Sequence, residues 1–245
     1  MGFFQNIFGS KIIEDHVLVD MHSHILPGID DGSQNIFESI DMIRYLADKG
    51  KKKLIMTPHI MHGVYDNNFE IVSAVLANLK IEVARQGIAI QLDAAAEYYL
   101  DEAFVSKLEK EEPLLCFGDK KYVLFETSYM NSSPLYNNAV FLMKSQGYMP
   151  VLAHPERYLY AYANFETYVN LLERGVLFQL NTNSLTGYYS THAQKMAEKL
   201  IDHGMVHFIG TDSHKIKHLH NLEKVSRLKS FKKLMDLPLL NNTLL

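Results

Sequence analysis

Seven short runs rich in Val, Ile and Leu alternate with longer amphipathic segments along this chain, a rhythm that fits repeated βα units around a parallel sheet. The runs are Val17 to Met21, Lys53 to Met56, Ile88 to Leu92, Tyr122 to Phe125, Pro150 to Ala153, Val176 to Leu180 and Val206 to Ile209. Between them apolar residues recur at helical spacing, as at Ile36, Ile40 and Ile43 or Ile71, Val75 and Leu79. The helical segments stop at Gly50, Gly87, Gly147, Gly175 and Gly204. Ser33 is placed to cap the first helix, and a final helix is expected over Leu222 to Leu234. No composition shift marks a linker. The 245 residues are therefore read as a single domain, 1–245, with an N-terminal helical extension over 1–16 and a C-terminal tail over 236–245 that carries no readable chemistry.

Composition narrows the partners. A formal charge of −4 gives no global attraction for nucleic acid or anionic lipid, so an anionic substrate has to be drawn by a local feature. No apolar run approaches the ~20 residues that span a bilayer, so no membrane insertion is expected. The single cysteine, Cys116, excludes an intramolecular disulfide. No pattern of a secretory leader opens the chain, and a cytoplasmic location is the expectation. Phe3, Phe4, Ile7 and Phe8 are read as one face of a terminal helix packed on the body.

In a βα barrel, function gathers at the C-terminal ends of the strands. Those ends carry His22 and His24, His59, Glu97, Glu126, His154, and Asp212 with His214, while the sixth ends in the amides Asn181 and Asn183. His22 and His24, two residues apart on a strand, project to the same side. Glu97 follows three alanines and Glu126 follows Val123-Leu124-Phe125, so each carboxylate stands where burial without a partner is expensive. A cation at both would remove the cost, and several ligands from distant segments are what a metal site needs. His16, His62, His192, His203 and His207 are read as ordinary polar histidines, and the Lys49 and Lys51 to Lys53 run as a solvated helix end.

The order of these motifs resembles the polymerase and histidinol phosphatase (PHP) superfamily. The stretch Asp20-Met21-His22-Ser23-His24-Ile25-Leu26-Pro27-Gly28-Ile29-Asp30-Asp31-Gly32 opens it, followed by Ala96-Glu97-Tyr98-Tyr99, Ala153-His154-Pro155-Glu156-Arg157-Tyr158 and Thr211-Asp212-Ser213-His214. Together they look closest to the manganese-dependent bacterial tyrosine-protein phosphatases of capsule and exopolysaccharide loci. The resemblance implies an α/β fold, a distorted seven-stranded (β/α)7 TIM-like barrel, holding two or three divalent metals. It implies that His22, His24, Glu97 and Asp212 hold one metal. Glu97 would bridge to a second held by Glu126 and His154, and His59, His214 and one aspartate of the Asp30-Asp31 pair, preferably Asp31, would hold a third. Mixed imidazole and carboxylate ligation suits manganese, iron or zinc, and the share of oxygen leans toward Mn2+. Three such ions against four carboxylates leave roughly two positive charges for a phosphate.

The reaction implied is hydrolysis of a phosphomonoester by a metal-activated water, with Arg157, Asp212 and His214 acting at the phosphate. The partner implied is a phosphotyrosine protein, a bacterial tyrosine kinase of polysaccharide export. The chain departs from the pattern after His214, where Lys215-Ile216-Lys217-His218-Leu219-His220 replaces a loop that carries a second arginine; Lys217, His218 and His220 are the candidate substitutes. Two other functions fit the same metals: a phosphatase of a small metabolite such as histidinol phosphate, and a non-catalytic phosphotyrosine-binding module. A cysteine-dependent phosphatase is excluded, because no arginine follows Cys116 closely enough to cradle phosphate, and Cys116 is read as a core thiol.

Overall fold

The computed structural model describes residues 13–245, so the expected helical face of Phe3, Phe4, Ile7 and Phe8 lies outside the described residues. Strands and helices alternate. β1 (Val19–Asp20), β2 (Lys53–Met56) and β4 (Gln91–Ala94) form one sheet in the order β1-β2-β4. β3 (His59–Ile60), β5 (Glu97–Tyr99), β6 (Tyr122–Glu126), β7 (Met149–Ala153), β8 (Leu177–Asn181) and β9 (Phe208–Gly210) form a second in the order β3-β5-β6-β7-β8-β9. Every paired neighbour is parallel.

The sheets adjoin through chain that runs from one into the other. β2 continues into β3 across Thr57-Pro58, and β4 into β5 across Ala95-Ala96. Backbone bonds carry the ladder over the gap, from Ala95 N–H to the Met56 carbonyl (2.8 Å) and from Glu97 N–H to the Pro58 carbonyl (3.0 Å). At the other edge Asp212 N–H donates to the His22 carbonyl (2.8 Å) and His24 N–H to the Ser213 carbonyl (3.1 Å), so the curl brings the first strand's extension beside the last strand's. The second expected run is β2 and the third is shifted to β4, and each is followed, after a two-residue break, by a further short strand, β3 or β5. Pro58, which has no N–H to donate, sits at one break.

Side chains finish this seam lower down. Asn241, in the tail read as empty, is fully buried. Its amide donates to the Val19 (3.0 Å) and Ile209 (2.7 Å) carbonyls and accepts from Ile209 N–H (3.0 Å), taking the place of a missing ladder between β1 and β9. Above it the Asp20 carboxylate accepts from Thr211 N–H (3.0 Å) and from the Thr211 hydroxyl (2.6 Å).

The helices are α1 (Ile36–Asp48), α2 (Phe69–Arg85), α3 (Glu102–Glu109), α4 (Tyr136–Ser145), α5 (Glu166–Glu173) and α6 (Thr191–Asp202). Asn35, not Ser33, caps α1, accepting from Phe37 and Glu38 N–H. Ser33 faces inward, its hydroxyl 2.9 Å from that of Ser39. The expected last helix is two pieces, α8 (Leu222–Val225) and α9 (Lys229–Met235), preceded by a short α7 (Ile216–His220). No described helix is long and apolar enough to cross a membrane.

A cluster inside the curl, with Val19, Met21, Ile55, Ala95, Leu124, Val151 and Phe208, is the floor on which the site stands. Strand alternation then carries chemistry upward from it. Two residues beyond Ala95 comes Glu97, two beyond Leu124 comes Glu126, and four beyond Ile55 and Phe208 come His59 and Asp212.

Candidate metal centre

Four groups of donor atoms, each mutually within 4.8 Å, form at the C-terminal ends of the strands: His24, Asp31, His59 and His214; His22, His24 and Asp212; His22, Glu97 and His154; and His59, Glu97 and Glu126. All nine residues picked as ligands from the sequence are therefore brought together, and His22, His24, His59 and Glu97 each belong to two groups. Glu97 is central. Its Oε2 lies 3.3 Å from His22 Nε2, 3.4 Å from His24 Nε2 and 3.2 Å from His59 Nδ1, and its Oε1 lies 3.0 Å from His154 Nε2. Asp212 Oδ1 faces the same two imidazoles of His22 and His24, at 3.5 and 3.3 Å.

The backbone is bent to achieve this. His154 and Asp212 hold φ of 35° and 47°, left-handed values that non-glycine residues seldom adopt. Two glycines let the chain close in. A Cβ on Gly32 would overlap the His24 carbonyl, and one on Gly210 would strike the His22 Cβ.

The imidazoles are held from behind. His22 Nδ1 lies 2.7 Å from Gln179 Oε1 and His24 Nδ1 lies 2.7 Å from Asp30 Oδ2, which turns each Nε2 toward the shared carboxylates. Asp30 is enclosed, also accepting from Gly32 N–H (2.9 Å) and His59 N–H (3.2 Å). Asp31, half exposed, places Oδ1 3.3 Å from His214 Nε2 and 3.6 Å from His59 Nε2. The two aspartates have thus separated into a support and a residue that faces the cluster.

Electrostatics fit a site built for cations. Burial alone would depress His22, but Glu97 and Asp212 raise it to about 9. His24 is likewise driven up against its burial by Asp30. Glu97 and Asp212, despite burial, sit well below the usual carboxylate range because His22 faces both. Glu126 goes the other way, pushed well above that range by burial and by the charge of Glu97. His154 is lowered to about 4 by burial and by Arg157. Protons on His22 and His24 are thus balancing carboxylates that a divalent ion would balance better. The buried Glu97 Oε2 has no hydrogen-bond partner although three ring nitrogens surround it, and the oxygen and imidazole donors suit Mn2+, iron or zinc.

Above the donors lies a cavity of about 750 Å3, whose lining includes Glu97, Glu126, Asp212, Arg157, Lys217 and His218. Arg157 is 22% exposed and ion-pairs with Asp212 Oδ2 at 3.2 Å, not with Glu156. Glu156 instead lies fully buried, accepting from Asn181 N–H (3.0 Å) and the Ser184 hydroxyl (2.6 Å). Of the candidates after His214, Lys217 and His218 line the cavity, whereas His220 packs edge-on against Tyr45 at 5.3 Å. Cys116 packs against the core and does not line the cavity; burial pushes its thiol up.

Two roles had not been expected. Gln179 is the one polar residue in an apolar strand run, a signal that could have found it. Asp30 as a support carried no such mark. Tyr129 and Tyr189 stand in the loops 129–135 and 186–190, whose Tyr, Ser and Asn content marks them as able to rim a site, though not as neighbours of Arg157.

A family model for capsular polysaccharide synthesis proteins, CpsB/CapC, matches residues 18–230. The tyrosine-protein phosphatase YwqE of Bacillus subtilis (strain 168) is 30% identical over 201 residues, covering 82% of this chain and 78% of its own length. The tyrosine-protein phosphatase CpsB of Streptococcus pneumoniae is 26% identical over 207 residues, 81% of this chain and 84% of its own. Crystal structures of YwqE from Bacillus subtilis and CpsB from Streptococcus pneumoniae, metal-dependent tyrosine phosphatases, include a chain that matches with a TM-score of 0.78 at 27% identity, over 92% of this chain and 93% of that one.

Proposed function

This chain belongs to the capsular polysaccharide synthesis family CpsB/CapC, and on that premise we propose that it is a metal-dependent protein-tyrosine phosphatase. The observation that carries the reading is the overlap of four donor groups, two of them sharing Glu97, under a cavity that Arg157 lines. His22, His24, Glu97 and Asp212 would hold one ion. Glu97, Glu126 and His154 would hold a second, and Asp31, His59 and His214 a third. The oxygen share favours Mn2+. Bound ions would supply the Lewis acidity that acidifies a water and offsets the charge of a phosphoryl group.

The chain's own residues do the rest. Gln179 and Asp30 fix the tautomers of His22 and His24. Arg157 binds phosphoryl oxygens through the N–H groups that Asp212 does not engage. Lys217 adds positive charge where the second arginine of the pattern is missing, and His218, which burial shifts toward its neutral form, adds an imidazole. We read the two sheets as one distorted seven-stranded barrel, a single domain over 1–245, cytoplasmic, acting on the phosphotyrosines of a polysaccharide-export tyrosine kinase.

Phosphotyrosine peptides assayed with and without added manganese test this. Hydrolysis should stop with chelator, return with Mn2+ and survive thiol alkylation. Full activity after metal stripping, or a strong preference for small phosphomonoesters over the peptides, would overturn the reading.

A further inference from the structure

Two tyrosine rings lie against the Arg157 guanidinium. Its Cζ stands 4.6 Å from the centre of the Tyr129 ring and 4.3 Å from that of Tyr189. Neither ring is a passive neighbour. The Tyr129 hydroxyl donates to Glu126 Oε2 (3.2 Å) and the Tyr189 hydroxyl to Asp212 Oδ2 (3.4 Å), the same oxygen that pairs with Arg157 Nη1 at 3.2 Å. Asn181 donates to that oxygen as well. Each tyrosine therefore ties the guanidinium to a carboxylate of the metal centre, one from the loop after β6 and the other from the loop after β8.

A long arginine side chain loses rotamer freedom when it takes up an anion, and fixing it beforehand removes that loss from binding. The π faces supply the fixing without neutralising the charge, because the contact is electrostatic and leaves the N–H donors free. We propose that Tyr129 and Tyr189 are positioning residues that hold Arg157 for a phosphoryl group, so that two loops remote in sequence set the affinity of the site for phosphate more than its rate. The inference rests on the reading of Arg157 as a phosphate ligand.

The test measures inorganic phosphate binding to the manganese-loaded full chain by calorimetry, beside KM and kcat on a phosphotyrosine peptide. Metal content and melting temperature are checked for every variant. Tyr129→Leu and Tyr189→Leu should each weaken phosphate binding about fivefold to tenfold, the scale of a partly desolvated cation–π contact. KM should rise by a similar factor while kcat stays within about twofold. Tyr129→Phe and Tyr189→Phe keep the ring and should recover most of the binding. Leu variants that bind phosphate as the parent does, Phe variants that lose as much as the Leu variants, or a fall in kcat at constant KM would each overturn the proposal. Arg157→Ala separates the two levels. If it binds phosphate like the parent, the role of Arg157 and the proposal fall together. If Arg157→Ala and the Leu variants lose phosphate binding but the parent hydrolyses no phosphotyrosine peptide, the proposal stands and the proposed function falls.

Discussion

Gln179 Oε1 meets His22 Nδ1 at 2.7 Å in the fully buried floor of the metal centre. The same oxygen accepts from His154 N–H at 3.3 Å, and the Gln179 amide donates to Asn181 Oδ1 at 3.0 Å. One glutamine thus braces two ligand segments, and through Asn181 it reaches a third at Asp212. Gln179→Leu should preserve the fold and cost about 10-fold to 100-fold in metal affinity, as loss of a ligand's outer partner does elsewhere. Competition against a chelator of known affinity measures it; unchanged affinity would show that the glutamine only fills space.

Loading the centre should release protons. His22 rises from 6.5 to about 9, so in the metal-free protein it carries a proton at pH 7 that a metal must displace. The extra stability of the charged imidazole is full below 6.5 and fades as pH climbs through 9, so competition from protons weakens over that window. Metal affinity should therefore strengthen from pH 6.5 to 9. Calorimetry in buffers of different ionisation enthalpy counts the protons, and release of none at pH 7 would contradict the assignment.

Asp30 and Asp31 should behave differently when changed. Asp31 is half exposed, and Asp31→Ala should lower metal content by part of the site with little change in melting temperature. Asp30→Ala leaves His24 Nδ1 and two backbone N–H groups without their acceptor, which should cost about 2–4 kcal/mol of stability as well as metal. Elemental analysis and thermal melts read the two effects. Equal losses from both would erase the distinction.

Glu156, two residues beyond the ligand His154 but facing none of the donor groups, offers a pH-dependent stability effect. Burial outweighs its hydrogen bonds from Ser184 and Asn181 and raises it from 4.5 to about 7. A raised carboxyl favours the fold below 4.5 and loses that contribution as pH rises through 7, up to about 3 kcal/mol. Glu156→Gln keeps a neutral acceptor, so its melting temperature relative to the parent should improve between pH 5.5 and 8. A gap that stays constant over that range would rule the effect out.

Much of the centre was legible because strand alternation extends past the strand. Once Ala95 and Leu124 point inward, Glu97 and Glu126 follow them on the same face; His59 and Asp212 keep the parity of Ile55 and Phe208, but Asp212 reaches the site through a left-handed φ. His154 obeys no such parity: Ala153 faces the core, and a left-handed φ turns the next residue into the site. Its sequence position at a strand end revealed it; its geometry could not be foreseen. The division of labour between Asp30 and Asp31 depended on a close approach at Gly32, and the tyrosines around Arg157 on loops whose paths no local pattern encodes. The second strand was found and the third placed a few residues early, but not the short strands that follow them, since pairing beyond Thr57-Pro58 and Ala95-Ala96 is decided by neighbours distant in the chain.

Asn241 carries one more consequence. Its amide sits between Val19 near one end of the chain and Ile209 near the other, where no ladder joins the first strand to the last. Below the ligands, then, the first and last strands do not close on each other unaided: in any state where the segment around residue 241 has come away, the Val19 and Ile209 carbonyls at the foot of the metal centre lose their shared donor.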